Sequence, residues 1–384
     1  MRIKVTAARA ASVGMIAAAS ATFVGSPAWA AHPGSDHRPA RRSGVVFAQS
    51  DNLHHNTVTA YDRGSDGSLT RRGTYSTGGR GGKLQGAEVD NLGSQGSLTY
   101  DRAHRLLYAV NAGSDTITVF GVDGDRLVRR QVLPSGGRFP VSVTVHGDVA
   151  YVLNARRGGS VQGYRRVGGV LLRIPTWHRT LGLDPDASPE FTHTPGQVQF
   201  TPDGRRLVVT TKSNSDSIVV FDVDRLGGLP STPTTTTAPG TDPFGFTFDG
   251  AGRILATEGV PNSVATYQWA PGGRLTRTGD VATGQQATCW IVRNGQYVYV
   301  GNAGSATISE YREDRQGRLT SVGVASTHPG SVDLAVSSDG GYLYAQTGGM
   351  GLVDAFRVNQ DGTLTKVGSA DIPGALGGQG IAAS

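Results

Sequence analysis

Glu258, in "ATEGVPNS", is the one carboxylate in a set of seven positions that close the second strand of a recurring unit; the others are Ser50, Asn111, Asn154, Thr211, Asn302 and Thr347. A lone acid on a polar ring around an axis can serve as a general base towards water or a hydroxyl. His193, in "PEFTHTPG", follows Glu190 by three residues and offers a second proton-transfer group. Arg156 and Lys212 fall in loops on the same side and can meet an anionic substrate or a developing oxyanion. Each residue also has a plainer reading. Asn at the head of a loop tolerates turn geometry and bonds its own backbone, which fits "NAGS" at Asn111 and Asn302. Glu258 could equally be held in a salt bridge by Arg253 or Arg156.

Other chemistries leave weaker traces. His54 and His55 are adjacent and point apart on an extended chain, and the acids of "LDPDASPE" lack calcium-loop spacing. There is no Gly-x-Ser-x-Gly elbow and no phosphate-cradling loop. No cofactor and no resident metal are expected, although Glu258 with Asn154 or Asn302 as oxygen ligands is an open metal-dependent alternative. Cys289 is the single cysteine, so no intrachain disulfide can form, and its apolar surroundings "QQATCWIV" suit a buried, inert thiol.

The elements that must position these residues repeat about every 45 residues, a period typical of propeller blades. Each unit reads as a short strand and turn ("QFTPDGRR", "AVSSDGGY"), a second strand ("LLYAVN", "YVYVGN"), and a small-residue loop. A third strand ("DTITVFGV", "DSIVVFDV") and a fourth ("GRLTRTGDVA", "GTLTKVGSAD") follow. Their period-two alternation and Asp-Gly turns specify antiparallel hairpins. The expected fold class is all-β, a seven-bladed β-propeller with four-stranded antiparallel blades. Six units are complete, whereas the N-terminal one, 44–77, lacks its inner strand. "GGQGIAAS" at 377–384 resembles "GSQGSLTY" at 93–100, so the C-terminal strand should complete the N-terminal blade and close the ring. Two insertions, "TGGRGGKLQGAEVDNLGSQ" and "TWHRTLGLDPDASPEFTHTP", fall on the face that carries the candidate residues, where long loops commonly bind.

Residues 1–30 read as a signal peptide. Arg2, Lys4 and Arg9 precede an apolar run, and the small residues of "SPAWA" suit cleavage after Ala30. Residues 31–43 read as a disordered leader and 44–384 as a single propeller. The expected location is therefore secreted or extracellular, with no membrane span. The formal net charge is +6, and residues 1–30 hold three bases and no acids, leaving +3 after cleavage. That residue of charge is dispersed along the chain, so no nucleic-acid partner is expected. The expected partner is a small-molecule lactone or sugar-like ligand, and the expected state is a monomer.

The phrases "YAVNAGSDTITVF", "FTPDGRRLVVTT" and "LATEGVPNSVATY" make residues 44–384 resemble the seven-bladed lactonase family. That family includes bacterial 6-phosphogluconolactonase and fungal carboxymuconate cyclase. The resemblance implies a lactone hydrolase or lactonising enzyme, with Glu258 where the family places its acid and His193 near a His-rich strand entry. The family's fifth blade typically reads Pro-Arg-His on its inner strand. Here "TDPFGFTF" keeps Pro243 but has Phe244 and Gly245 in place of Arg and His, which implies a less polar pocket lined by Phe244. With two expected polar groups gone, a non-catalytic propeller binding a carbohydrate, peptide or cell-wall partner is the competing reading.

Overall fold

The computed structural model describes residues 44–384, so the expected signal peptide and leader lie outside the described residues. The described chain forms seven antiparallel sheets of four strands each. We number the blades one to seven from the N-terminus and the strands of each from the axis outwards. Neighbouring inner strands contact one another around the ring in chain order.

Burial explains why these segments are strands of this kind. Second strands such as Leu106–Asn111 and Tyr297–Asn302 are packed on both faces and are largely apolar up to their terminal Asn. Outer strands such as Leu69–Ser76 alternate between exposed and half-covered positions, as a sheet edge facing water requires. In five blades the third and outer strands slip register at a bulge immediately before an aromatic: Tyr61, Phe120, Tyr267, Tyr311 and Phe356. All five rings are buried. The bulge sharpens the local twist and sends the ring between blades, where aromatic area contributes most. At the turn of blade seven, Gly362 (φ 89°) lies against the Tyr297 ring, so any side chain there would meet both an unfavourable backbone and a wall.

The ring closes as the internal similarity predicts. Ile381–Ala383 pairs antiparallel with the first strand of the N-terminal unit, matching Val46 to Ala383, Phe47 to Ala382 and Ala48 to Ile381. The Gln49 amide donates to the Gly380 carbonyl at 2.8 Å and the Ser384 amide to the Val45 carbonyl at 2.9 Å. Blade one thus has four strands, with no edge left open at the axis.

The insertions depart from expectation in two ways. Thr176–Thr180, taken from sequence as the start of the second insertion, continues the outer strand of blade three, Val170–Thr180. The remainder, 181–195, contains a helical turn, Glu190–His193. The first insertion reaches the inner strands, where Ser94 and Gln95 bond to Val141 and Ile291. No helix among the described residues is long and apolar enough to cross a membrane.

Candidate functional site

The axis is built from the inner strands, and residues 93–95 bond to several of them. The Trp290 indole of blade six donates to the Ser94 carbonyl at 2.8 Å, and the Ser94 hydroxyl donates to the Val141 carbonyl of blade three at 2.9 Å. Gln95 donates to the Ile291 carbonyl and accepts from the Ile291 amide, while its own amide donates to the Gly196 carbonyl before blade four. Ser94 also meets Gln379, which leads into the closing strand of blade one. A segment bonded to blades one, three, four and six at once occupies the centre. Above it, Val89 packs on Phe244, Cys289, Trp290 and Val332. The mouth of the propeller is filled by the chain itself.

This filling accounts for the fifth-blade departure. Phe244 is 1% exposed and edge-on to Trp290, with centroids 5.2 Å apart. A Cβ on Gly245 would lie 2.5 Å from both Gln95 Oε1 and the Cys289 carbonyl, so no side chain fits where the family resemblance places His. Lys212 is wholly buried between the Phe191 and Phe244 rings. Its ammonium donates to the Gly93 carbonyl at 2.7 Å, to the Phe191 carbonyl, and to Thr194 Oγ1 at 3.2 Å. Burial pushes its pKa down to about 8, against the opposing pull of Asp242, Asp90 and Cys289. Lys212 therefore ties the two insertions together over the axis; it is not a free loop cation.

Three carboxyls that the sequence reading passed over surround the same core. Asp51 accepts from the Gln49 amide and from the Gln379 backbone at 2.8 Å. Asp333 accepts from the Leu334 and Ile381 amides at 3.0 and 3.3 Å. Asp90 accepts from the Leu92 amide at 2.9 Å, and its Oδ2 is buried with no hydrogen-bond partner among the described residues. Burial pushes Asp51 up to about 8 and Asp90 and Asp333 each up to about 7, and Asp90 raises both others further. Their visible signal in sequence is weak, since only "VDN" within the first insertion and "SVDLAV" in an apolar strand mark an acid in unusual company.

Glu258 is fully buried but turned to its own blade. Oε2 accepts from Ser263 Oγ at 2.8 Å and Arg277 at 2.7 Å; Oε1 accepts from the Tyr267 hydroxyl at 3.0 Å and Arg277 at 3.2 Å. The partner is thus Arg277 of the outer strand, and neither Arg253 nor Arg156. The three Asn residues behave alike. Asn111 donates to Thr116 and Thr118, Asn302 to Thr307 and Ser309, and Asn154 to Ser160 at the start of the next strand as well as to the Ser135 carbonyl. The polar ring expected to face the axis instead clamps each blade's second and third strands, because buried polar groups turn to the nearest donors and acceptors of their own loop. Arg277→Ala should therefore leave a buried carboxylate unneutralised and lower stability by about 2 kcal/mol, a figure discounted for the half-exposed guanidinium. A chemical melt checks this, and Glu258→Gln added to Arg277→Ala should recover part of the loss.

His193 and Arg156 do come together, away from the axis. They line a pocket of about 260 Å³ with Glu190, Asp184 and Asp186. Arg156 pairs with Glu190 at 2.7 Å and stacks over Phe139. Burial would raise the Glu190 carboxyl, but the Arg156 and Gln85 hydrogen bonds outweigh it and hold the group below its usual range. His193 Nδ1 lies 3.0 Å from the Pro189 carbonyl and 2.9 Å from Thr192 Oγ1. Neither insertion brings Glu258 to this pocket.

The sequence model of the lactonase family of seven-bladed β-propellers matches residues 176–289 and 256–375, together more than half the chain. The chain belongs to this family. Comparison with curated proteins gave no match. Among solved structures, this lactonase-family propeller resembles a candidate 6-phosphogluconolactonase from Bacteroides fragilis, with a TM-score of 0.69 and 20% identity over 91% of this chain and 100% of that one. The periplasmic gluconolactonase of Pseudomonas aeruginosa is similar at a TM-score of 0.68 and 18% identity, over 88% and 98% of the two chains. Virginiamycin B lyase from Staphylococcus aureus shares the fold more loosely, at 0.54 and 13%, over 74% and 86%. At these identities the likeness is one of fold.

Proposed function

We propose that this is a secreted lactonase-family propeller that binds its ligand on the insertion-bearing face and does not turn over a lactone at the axis. The observation that carries this reading is the filled mouth: Ser94 is bonded to inner strands of blades three and six, and the buried Lys212 ammonium donates to the Gly93 carbonyl beside it. Two further facts support it. Glu258 has four hydrogen bonds on its two oxygens and no exposure, which leaves it without access to water. Phe244 and Gly245 stand where an oxyanion-stabilising pair would be needed.

Lactone hydrolysis is the second reading, favoured by family membership and by the acid at position 258. The two are separated by assaying acid release from glucono-δ-lactone and a panel of small lactones. Rates equal to buffer, for wild type and Glu258→Gln alike, are expected. Turnover by wild type that disappears in Glu258→Gln would overturn the binding reading and restore Glu258 as the base.

A further inference from the structure

At the rim of the same face a groove of about 530 Å³ opens between blades two and three, lined by Arg138, Arg156, Arg157, Arg173, His178 and Asp115 among others. Its charge is one-sided: four guanidiniums against one carboxylate. Arg138 is held by Asp115 and Arg156 by Glu190, so two of the four are already compensated and fixed in place. Arg157 and Arg173 are exposed and have no carboxylate or hydrogen-bond partner among the described residues. The backbone of Arg157 adopts φ 59°, a left-handed conformation that Asp115, Asn262 and Ala306 also take in the matching loops of other blades. The floor is made close and open by Gly136, Gly137 and Gly159; Cβ atoms on the first two would strike Gln162 and Asn154. Burial first, and then the positive charges of Arg173 and Arg179, hold the His178 imidazole below its ordinary pKa.

We propose that this groove binds a small multivalent oxyanion, with Arg157 and Arg173 as the two free forks and Arg138 and Arg156 as the preset walls. Guanidiniums match carboxylate and phosphate oxygens bidentately, and a concave cleft of this volume suits a small molecule. The inference deepens the binding reading above by naming the ligand class, and it rests on that reading only for its meaning as function. Among the described residues Arg157 and Arg173 make no hydrogen bond or ion pair to Glu258 or to the axial segment, so it can fail or stand separately.

The test is titration of the protein with citrate and, in a second arm, inorganic tripolyphosphate, followed by calorimetry and by the His178 imidazole resonance. Saturable binding is expected, with the His178 pKa rising when the anion is bound, because the added negative charge favours the imidazolium. Acetate should bind far more weakly. Arg157→Ala/Arg173→Ala should weaken binding tenfold or more with an unchanged melting temperature, since neither side chain bonds to the fold. Arg225→Ala, an exposed arginine in an opposite-face turn, should leave affinity unaltered. Citrate and tripolyphosphate affinities within twofold of wild type in the double variant, or an equal loss in Arg225→Ala, would overturn the assignment. Better binding of one probe tells carboxylate from phosphate as the preferred source.

Discussion

Deleting Ile381–Ser384 should lower the unfolding free energy by roughly 5 kcal/mol or more, enough to leave a domain of ordinary stability largely unfolded. The estimate is built from named contacts. Ile381 and Ala383 are buried against blades one and seven and Ala382 against blades one and two, and complete burial of one isoleucine contributes about 2 kcal/mol. The strand also carries a ladder to Val46–Ala48, the three Ser384–Val45 bonds, and the Ala383 carbonyl that Arg102 holds, each worth about 1 kcal/mol net. The deletion would further expose the inner edge of blade one, a template for pairing with another chain. Urea denaturation and light scattering read the two consequences. A truncated chain that melts cooperatively at the wild-type midpoint would mean that ring closure contributes little. Ser384→Ala, which removes one donor and one acceptor, should cost only about 1 kcal/mol.

Stability should fall as pH rises from about 5 to 8, the reverse of the usual behaviour on the acid side of neutrality. Asp51, Asp90 and Asp333 have folded pKa values of about 8, 7 and 7, far above that of an unfolded aspartate. Between the two values the folded protein retains protons that the unfolded chain has released, so the slope of unfolding free energy with pH is negative. Retention of a single one of the three protons from pH 5 to pH 7 already costs the fold about 3 kcal/mol. Carboxyls held below their usual range, such as Asp354, act in the opposite sense but only at lower pH. Lys212, with its folded pKa of about 8, restores stability above that value, because the folded state then sheds a proton that the unfolded state keeps. A minimum near pH 8 is expected. Asp51→Asn with Asp333→Asn should flatten the descent at a cost of about 1 kcal/mol per lost acceptor. A denaturation midpoint that stays constant or rises across this window, or an unaltered slope in the double variant, would count against a protonated axial core.

Much of the architecture could be read from the sequence, since blade repetition, the hairpin turns and the closing strand rest on local patterns that nothing distant overrides. The strand ends at Asn111, Asn302 and Glu258 were also found, because a repeat makes equivalent positions comparable. Where those side chains point was not. A period-two strand says which face a residue takes, but not whether its last polar group meets solvent or its own loop. The Glu258 partner lay 19 positions away, on the outer strand rather than in a neighbouring loop. The path of the first insertion was least legible. Its glycines carry no period and no capping signal, and the contacts that fix it, from Ser94 and Gln95 to Trp290, Val141 and Gly196, all lie in blades distant in sequence. Lys212 was noticed for its charge, while its burial followed only from that path.

The segment on the axis has a geometric consequence for the ring as a whole. Pseudo-equivalent blades leave their number loosely determined, since one more or one fewer changes only the diameter of the hole. Here Ser94 and Gln95 span that hole, from Trp290 and Ile291 on one side to Val141 and Ser142 on the other. They act as an internal gauge: a ring of six would have no room for them, and a ring of eight would leave their polar groups unmatched. Because each bond is made to a particular blade, the blades are no longer interchangeable, and swapping two of them would preserve every hairpin while breaking the centre.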